Sequence, residues 1–251
     1  MGRDMSKEDR QVIIFRPISI FYFILMFLIT ILLLPFMITA WRIFSYSLKV
    51  SPIVVLIVFI ASLICSYINI RVGEIRVREP IVVYREISFF GVRWYIPEVR
   101  YGTKTIVTVN VGGALIPVLF SLYLLFNVVP RYEANVSIAY LKILVAFTLV
   151  TIIVYSVARP IEGLGIATPS LIPPLSTALI SLFLYPIYIK TNPFIIAYVS
   201  GTLGTLVGAD ILNLNKIPRL RSPIVSIGGA GTFDGIYITG IMAIFLIWLL
   251  I

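Results

Sequence analysis

Charged and turn-forming residues divide the chain into apolar runs at about 17–40, 52–70, 105–128, 136–158, 171–189, 194–212 and 231–250. A helix needs about 20 mostly apolar residues to cross the ~30 Å hydrocarbon core of a bilayer. Seven such runs predict an all-α polytopic membrane protein with about seven transmembrane helices. The composition agrees, with 60% hydrophobic and 12% charged residues and a mean hydropathy of +1.06.

Cations sort these runs by side. With residues 1–16 as a cytosolic arm, the inner segments hold Arg3, Lys7, Arg10, Arg16, Arg71, Arg76, Arg78, Arg85, Arg93, Arg100, Lys104, Arg159, Lys216, Arg219 and Arg221. The outer segments keep Arg42, Lys49, Arg131, Lys142 and Lys190. Positive inner loops therefore predict a multipass protein of the cell membrane, N-terminus cytosolic and C-terminus external. The net charge of +9 borders membrane spans instead of clustering on a soluble domain. The partners it implies are membrane lipids with anionic headgroups on the cytosolic side, not nucleic acid.

The expected organisation is the arm, two transmembrane helices over 17–70, a cytosolic insertion over 71–104, and the remaining helices over 105–251. The insertion reads R-V-R-E-P-I-V-V-Y-R-E-I-S-F-F-G-V-R-W-Y-I-P-E-V-R-Y-G. Its alternation, β-branched and aromatic content and Gly and Pro breaks predict a β-hairpin or small sheet. Such a sheet serves either as a lid against the lipid surface or as an edge that receives an extended peptide.

One cysteine and no histidine exclude disulfide frameworks, zinc sites and Cys–His or Ser–His catalysis, and no metal or cofactor is expected. Cys65, inside an apolar run, is read as a small packed hydrophobe. The chemistry left to the chain rests on carboxylates. Asp210 and Asp234 each adjoin an apolar run in a glycine-rich setting, and ionisable groups at membrane depth are functional candidates by default. The alternating topology puts both near the cytosolic boundary of neighbouring antiparallel helices. Asn110, Gly112, Gly113 and Pro117 at the head of the third span, Arg159 at the foot of the fourth, and Pro169, Pro173 and Pro174 before the fifth fall at the same depth. The proline segment is expected to be irregular. Gly208 and Asn213 flank the first aspartate, and Gly229, Gly231, Thr232 and Phe233 lead into the second. Gly201, Gly204 and Gly208 recur at helical spacing, which lets another helix approach closely.

Two adjacent carboxylates in a low-dielectric site share a proton, so one acts as general base on water and the other as acid toward a carbonyl. That chemistry needs no metal. The structural reading has Asp210 capping its helix or pairing with Arg159, and Asp234 accepting amides at a helix N-terminus.

The stretches N-V-G-G-A-L-I-P (110–117), P-S-L-I-P-P-L, G-T-L-G-T-L-V-G-A-D (201–210) and G-G-A-G-T-F-D-G-I (228–236) resemble the prokaryotic multipass membrane family known as domain of unknown function 1614. That resemblance implies no activity. More loosely, the two aspartates resemble those of presenilin and signal-peptide-peptidase-type intramembrane aspartyl proteases. In that likeness Pro169-Ser170-Leu171 or Pro174-Leu175 stands for the Pro-Ala-Leu loop. Here Thr232 and Phe233 separate Gly231 from Asp234, the loop precedes both aspartates, and seven spans replace nine. The resulting expectation is a membrane-embedded diaspartyl hydrolase acting on a transmembrane or extended peptide. A proton- or ion-coupled transporter and a non-catalytic membrane scaffold are the alternatives.

Overall fold

The computed structural model describes residues 12–14, 41–76, 81–89, 92–100, 104–163 and 165–251, with isolated positions 24, 27, 28 and 39. The expected first span, 17–40, and most of the expected arm lie outside the described residues. What is described is a mostly helical protein capped at one end by small sheets.

After β1 (Val12–Ile14) come α1 (41–48) and α2 (Pro52–Cys65). Four strands follow: β2 (Ile68–Arg76), β3 (Ile81–Phe89), β4 (Val92–Arg100) and β5 (Lys104–Asn110). The chain re-enters the bundle as α3 (111–132), which begins with a π-helical segment (Val111–Leu115) and carries a second at Leu124–Val128. Next come α4 (Val136–Val157), β6 (Arg159–Ile161), β7 (Gly165–Ala167) and α5 (Ile172–Leu184). Then α6 (Pro193–Leu220) runs as α-helix to Thr205, π-helix over Leu206–Asp210 and 3-10 helix over Ile211–Leu220. The chain ends with β8 (Ile224–Ile227), a 3-10 turn (Gly231–Phe233) and α7 (Gly235–Leu250).

Among the described residues, α3, α4 and α6 are long and apolar enough to cross a membrane, while α2, α5 and α7 are apolar but shorter. The expected boundaries need two corrections. The runs 52–70 and 105–128 each join a helix to a strand, since α2 stops at Cys65 and α3 starts only at Val111. The reason is burial: most of β5 is closed off on both faces, so T-I-V-T-V lacks the alternation of a half-exposed strand and reads like more helix. The proline segment is corrected too. Pro173 and Pro174 lie buried in the first turn of α5, where a missing N–H costs nothing.

The expected insertion contains the hairpin β3–β4, paired from Ile81↔Arg100 to Phe89↔Val92. Its flanking strands belong to a sheet of order β1-β2-β5-β8 that sequence reading did not anticipate. In it β2 and β5 are antiparallel with a bulge between Arg71 and Gly73, and β8 joins β5 in parallel, Ile106 opposite Ile224. Beneath this sheet Val107 packs with Ile217 and Leu220 of α6.

The main core lies between the helices. Phe44, Val55, Phe120, Leu124, Ile143, Ile196, Val199 and Ile244 bring α1, α2, α3, α4, α6 and α7 together. Phe120 meets Tyr198 edge-on at 5.2 Å between ring centroids. α6 is the hub, packing on α4, α5 and α7, because its small residues admit neighbours. A Cβ on Gly208 would lie 2.6 Å from the Thr151 carbonyl oxygen of α4, so only glycine permits that crossing.

At the end remote from the sheets, Lys142 is buried and its Nζ donates to the carbonyls of Tyr185 (2.9 Å) and Ile189 (2.6 Å) and to Thr191 Oγ1 (3.3 Å). It pins the link between α5 and α6. Asn192 caps α6 by accepting from the amides of Phe194 and Ile195 and donates to the Ser47 carbonyl, while its own amide donates to Glu133 Oε1 at 2.9 Å. Replacing Lys142 with Met strands these acceptors, and we expect a loss of about 2–4 kcal/mol in detergent unfolding. Burial pushes the Glu133 carboxyl above its ordinary value of 4.5. The fold holds this proton more tightly than the unfolded chain does. Stability is therefore complete below that value and falls as pH rises through the raised one. Glu133→Gln should flatten that slope in a pH series of melting temperatures.

Candidate active site

Where α6 and α7 meet the sheets, a cavity of about 260 Å³ opens. Its wall includes Asp210 and Asp234 together with Thr168, Ser170, Pro173, Thr205, Phe233 and Thr239, and Ile166 and Ala167 of β7 close one side. That volume accommodates several waters, and the hydroxyls supply partners for them. Both aspartates are only partly covered, and they lie within electrostatic reach of one another.

The two carboxylates are held differently. Asp234 caps α7: its Oδ1 accepts from the Ile236 amide at 3.0 Å and its Oδ2 from the Ala230 amide at 3.4 Å. The helix N-terminus adds a favourable potential for negative charge. Asp210 ends the π segment of α6, and no described residue donates a hydrogen bond to it. Arg159, the expected counter-ion, is exposed at the start of β6, paired in register with Ala167, and makes no ion pair with Asp210 among the described residues.

The π segment decides where Asp210 points. Its wider turn places residues five apart on one face, so Thr205 and Asp210 share the cavity wall. On α7, Ile238 and Thr239 follow Asp234 by one turn and line the same wall. Ile238 and Thr239, which sequence reading left out, stand one helical turn beyond Asp234, whereas Thr205 shares a face with Asp210 only because the turn between them is π-helical. Thr168 carried no signal, whereas Ser170 belongs to the Pro169-Ser170-Leu171 stretch compared with the Pro-Ala-Leu loop, and both reach the cavity through the β7–α5 connection.

Of the expected site residues, Asp210, Asp234, Pro173 and Phe233 line the cavity. Pro169 is exposed between the lining residues Thr168 and Ser170, Pro174 is buried in α5, and Pro117 is buried in α3 with its carbonyl accepting from Ser121 Oγ. Asn213 is buried beneath the break in α6, its Nδ2 donating to the carbonyls of Gly208 and Ala209 at 2.9 Å each. It satisfies carbonyls that the change of helix type leaves open.

The rest form a knot behind Asp234. Asn110 Oδ1 caps α3 by accepting from the Gly113 amide at 2.7 Å, and its Nδ2 donates to the Ser66 carbonyl at 2.6 Å and to Asn69 Oδ1 at 3.2 Å. Ser226 Oγ also donates to Asn69 Oδ1, at 2.5 Å. Ser66 Oγ accepts from the Thr232 amide at 3.2 Å. Gly112 packs on Ser62 and Ser66, and Gly113 on the carbonyls of Gly228 and Gly231. Gly231 has φ +64°, and a Cβ there would lie 2.6 Å from that of Ser66, so the loop needs glycine for both reasons. Gly229 is exposed on the same loop. The motif N-V-G-G-A thus grips the motif G-G-A-G-T-F-D and sets the position of Asp234. Ser66, Asn69 and Ser226, absent from the expected site, complete the grip.

No group of three or more Asp, Glu, Cys or His side chains able to hold a metal converges among the described residues. Asn110→Ala removes one cap and two buried donations. We expect it to cost about 2–3 kcal/mol and to speed amide exchange over 228–234, read by hydrogen–deuterium exchange mass spectrometry.

No curated protein and no solved structure matches the chain, so the looser likeness to intramembrane aspartyl proteases finds no support there. Residues 63–246, which include both aspartates and the knot behind them, match the model of a family described as a protein of unknown function. The chain belongs to that family, DUF1614.

Proposed function

We propose that the chain is an intramembrane diaspartyl hydrolase whose site lies at the cytosolic end of the bundle. The observation that supports this reading is the shared cavity, where two carboxylates from adjacent helices face hydroxyl-lined space roomy enough for water. The 13 α-helical and 5 π-helical residues from Pro193 to Asp210 rise about 25 Å, close to the ~30 Å hydrocarbon thickness. Asp210 then sits near the membrane boundary, where water is at hand. The described cations Arg71, Arg76, Lys104, Arg159, Lys216, Arg219 and Arg221 belong to this same end, which supports placing it in the cytosol.

The unequal surroundings of the aspartates divide their labour. Asp234, held by two amides at a helix N-terminus, is the carboxylate that takes a proton from water as the water oxygen attacks a carbonyl carbon. Asp210, free of donors among the described residues, carries the proton given to the carbonyl oxygen. Collapse of the tetrahedral diol then breaks the C–N bond: one diol hydroxyl returns its proton to Asp210, and the leaving amine takes the proton that Asp234 had accepted. Apolar peptides suit the surroundings, with Phe233 exposed at the rim.

One observation favours a rival, a proton-coupled carrier: the membrane helix is broken at the very turn that carries Asp210, as in transporter ion sites. A single preparation separates the two. Reconstituted protein is given a library of apolar peptides, and new amines are read by mass spectrometry. We expect cleavage that Asp210→Asn and Asp234→Asn each reduce by about 10³-fold or more. Absence of cleavage, with proton flux across the vesicles that either variant abolishes, would replace the hydrolase with the carrier.

A further inference from the structure

Beyond Asp210 the 3-10 part of α6 continues for 10 residues, Ile211–Leu220, with a different character from the span before it. Asn213, Ile217 and Leu220 are buried, whereas Ile211 and Leu212 are exposed apolar residues and Asn215 and Arg219 are exposed polar ones. An amphipathic segment that follows a span of about bilayer length lies along the interface, with apolar residues toward the acyl chains and cations toward the headgroups. The Lys216 ammonium stands 5.1 Å from the ring centroid of Tyr155, which is 42% exposed near the end of α4. Tyrosine at that depth belongs to the interfacial belt.

The hairpin β6–β7 packs beside this segment, tied by the Gly163 amide donating to the Leu220 carbonyl at 2.9 Å. It brings the exposed Arg159 to the same unit. Among the described residues of the two pieces, the cations are Arg159, Lys216, Arg219 and Arg221. With the residues flanking the 3-10 segment included, the acids are Asp210, which lines the cavity, and Glu162, 3.5 Å from Arg221. The unit is thus cationic, amphipathic and continuous with a membrane helix.

We infer that the 3-10 segment of α6, with the β6–β7 hairpin, is a binding site for the phosphodiester headgroup of an anionic lipid, held by Lys216, Arg219 and Arg159. The lipid sits beside the carboxylate cavity, because Arg159 pairs in register with Ala167, a cavity-wall residue. This inference rests on placing the sheet end at the membrane interface and not on the chemistry of the aspartates, so it stands or falls separately from the cleavage test.

The experiment uses the full chain in nanodiscs of equal parts phosphatidylcholine and phosphatidylglycerol, with retained lipids counted by native mass spectrometry. The wild type should retain phosphatidylglycerol preferentially, and inorganic phosphate should not displace it. Lys216→Gln with Arg219→Gln should lower that preference by about fivefold per cation removed. Lys216→Arg with Arg219→Lys, which keeps both charges, should restore it and guards against misfolding. Arg131→Gln with Lys190→Gln, at the far end, should leave it unchanged. No lipid preference in the wild type, an unchanged preference in the Gln pair, an equal fall in the far-end pair, or displacement by phosphate would overturn the site.

Discussion

At membrane depth no water is available to take up a stray peptide N–H or C=O, so each departure from regular helix must be satisfied by the protein itself. The structure shows where that requirement bears. At the remote end, Lys142 donates to the carbonyls of the α5–α6 link and Asn192 caps α6. At the sheet end, Asn213 covers carbonyls freed by the change from π to 3-10 helix, and Asn110 caps the π segment that opens α3. The second π segment of α3 is met in the same way, by the Tyr140 hydroxyl donating to the Leu125 carbonyl at 2.7 Å. These few polar residues therefore fix where the chain turns, and the apolar surface fills in around them.

The distribution of breaks is uneven. The link between α5 and α6 at the remote end is short and locked by one cation, whereas the sheet end gathers β2, β5, β8, the β6–β7 hairpin and the glycine loop. A sheet at a bundle end provides rigid backbone pairing outside the helical ladders. The parallel pairing of β8 with β5 fixes the chain that enters the glycine loop, and Asn69 reaches from β2 to Ser226 of β8. The loop carrying Asp234 is thus held from the sheet side by Ser226 and from the bundle side by Ser66 and Gly113. Such support from two sides is what holds a carboxylate in a fixed direction.

Much of this was legible in the residues, and the exceptions have physical causes. Helices α4 and α7 follow their apolar runs closely, because most of their packing is against other helices. Strand β5 was hidden because a buried strand and a buried helix are equally apolar, and the start of β2 was hidden because Ile68-Asn69-Ile70 continues the apolar run of α2. Strand β8 was hidden because four residues between Pro223 and Gly228 pair with a segment more than a hundred positions away, a contact that no local pattern encodes. The aspartates announced themselves through the cost of a charge among apolar residues. Thr205 did not, since it shares a face with Asp210 only in a π turn, and sequence periodicity assumes 3.6 residues per turn. Ser66 was invisible for a different reason: a serine after a helix is common, and only the loop folded against it makes it a partner.

The same constraint bears on the proposed depth of the carboxylate cavity. A pair of carboxyl groups at mid-bilayer would need a cation or a wet channel to offset desolvation. Set at the junction of bundle and sheet, Asp234 draws on the α7 N-terminus and on the Ile236 and Ala230 amides, while Thr168, Ser170, Thr205 and Thr239 line the cavity around the pair. The glycine motif supplies the amides that meet Asp234, and the π turn swings Asp210 toward the same space. A regular α-helix through 206–210 would rotate Asp210 away from Thr205 and out of register with Asp234. The irregular helix is therefore a condition for the two aspartates to share one cavity, and Gly208 and Asn213 are the residues that make it tolerable, one by admitting α4 and the other by satisfying the opened carbonyls.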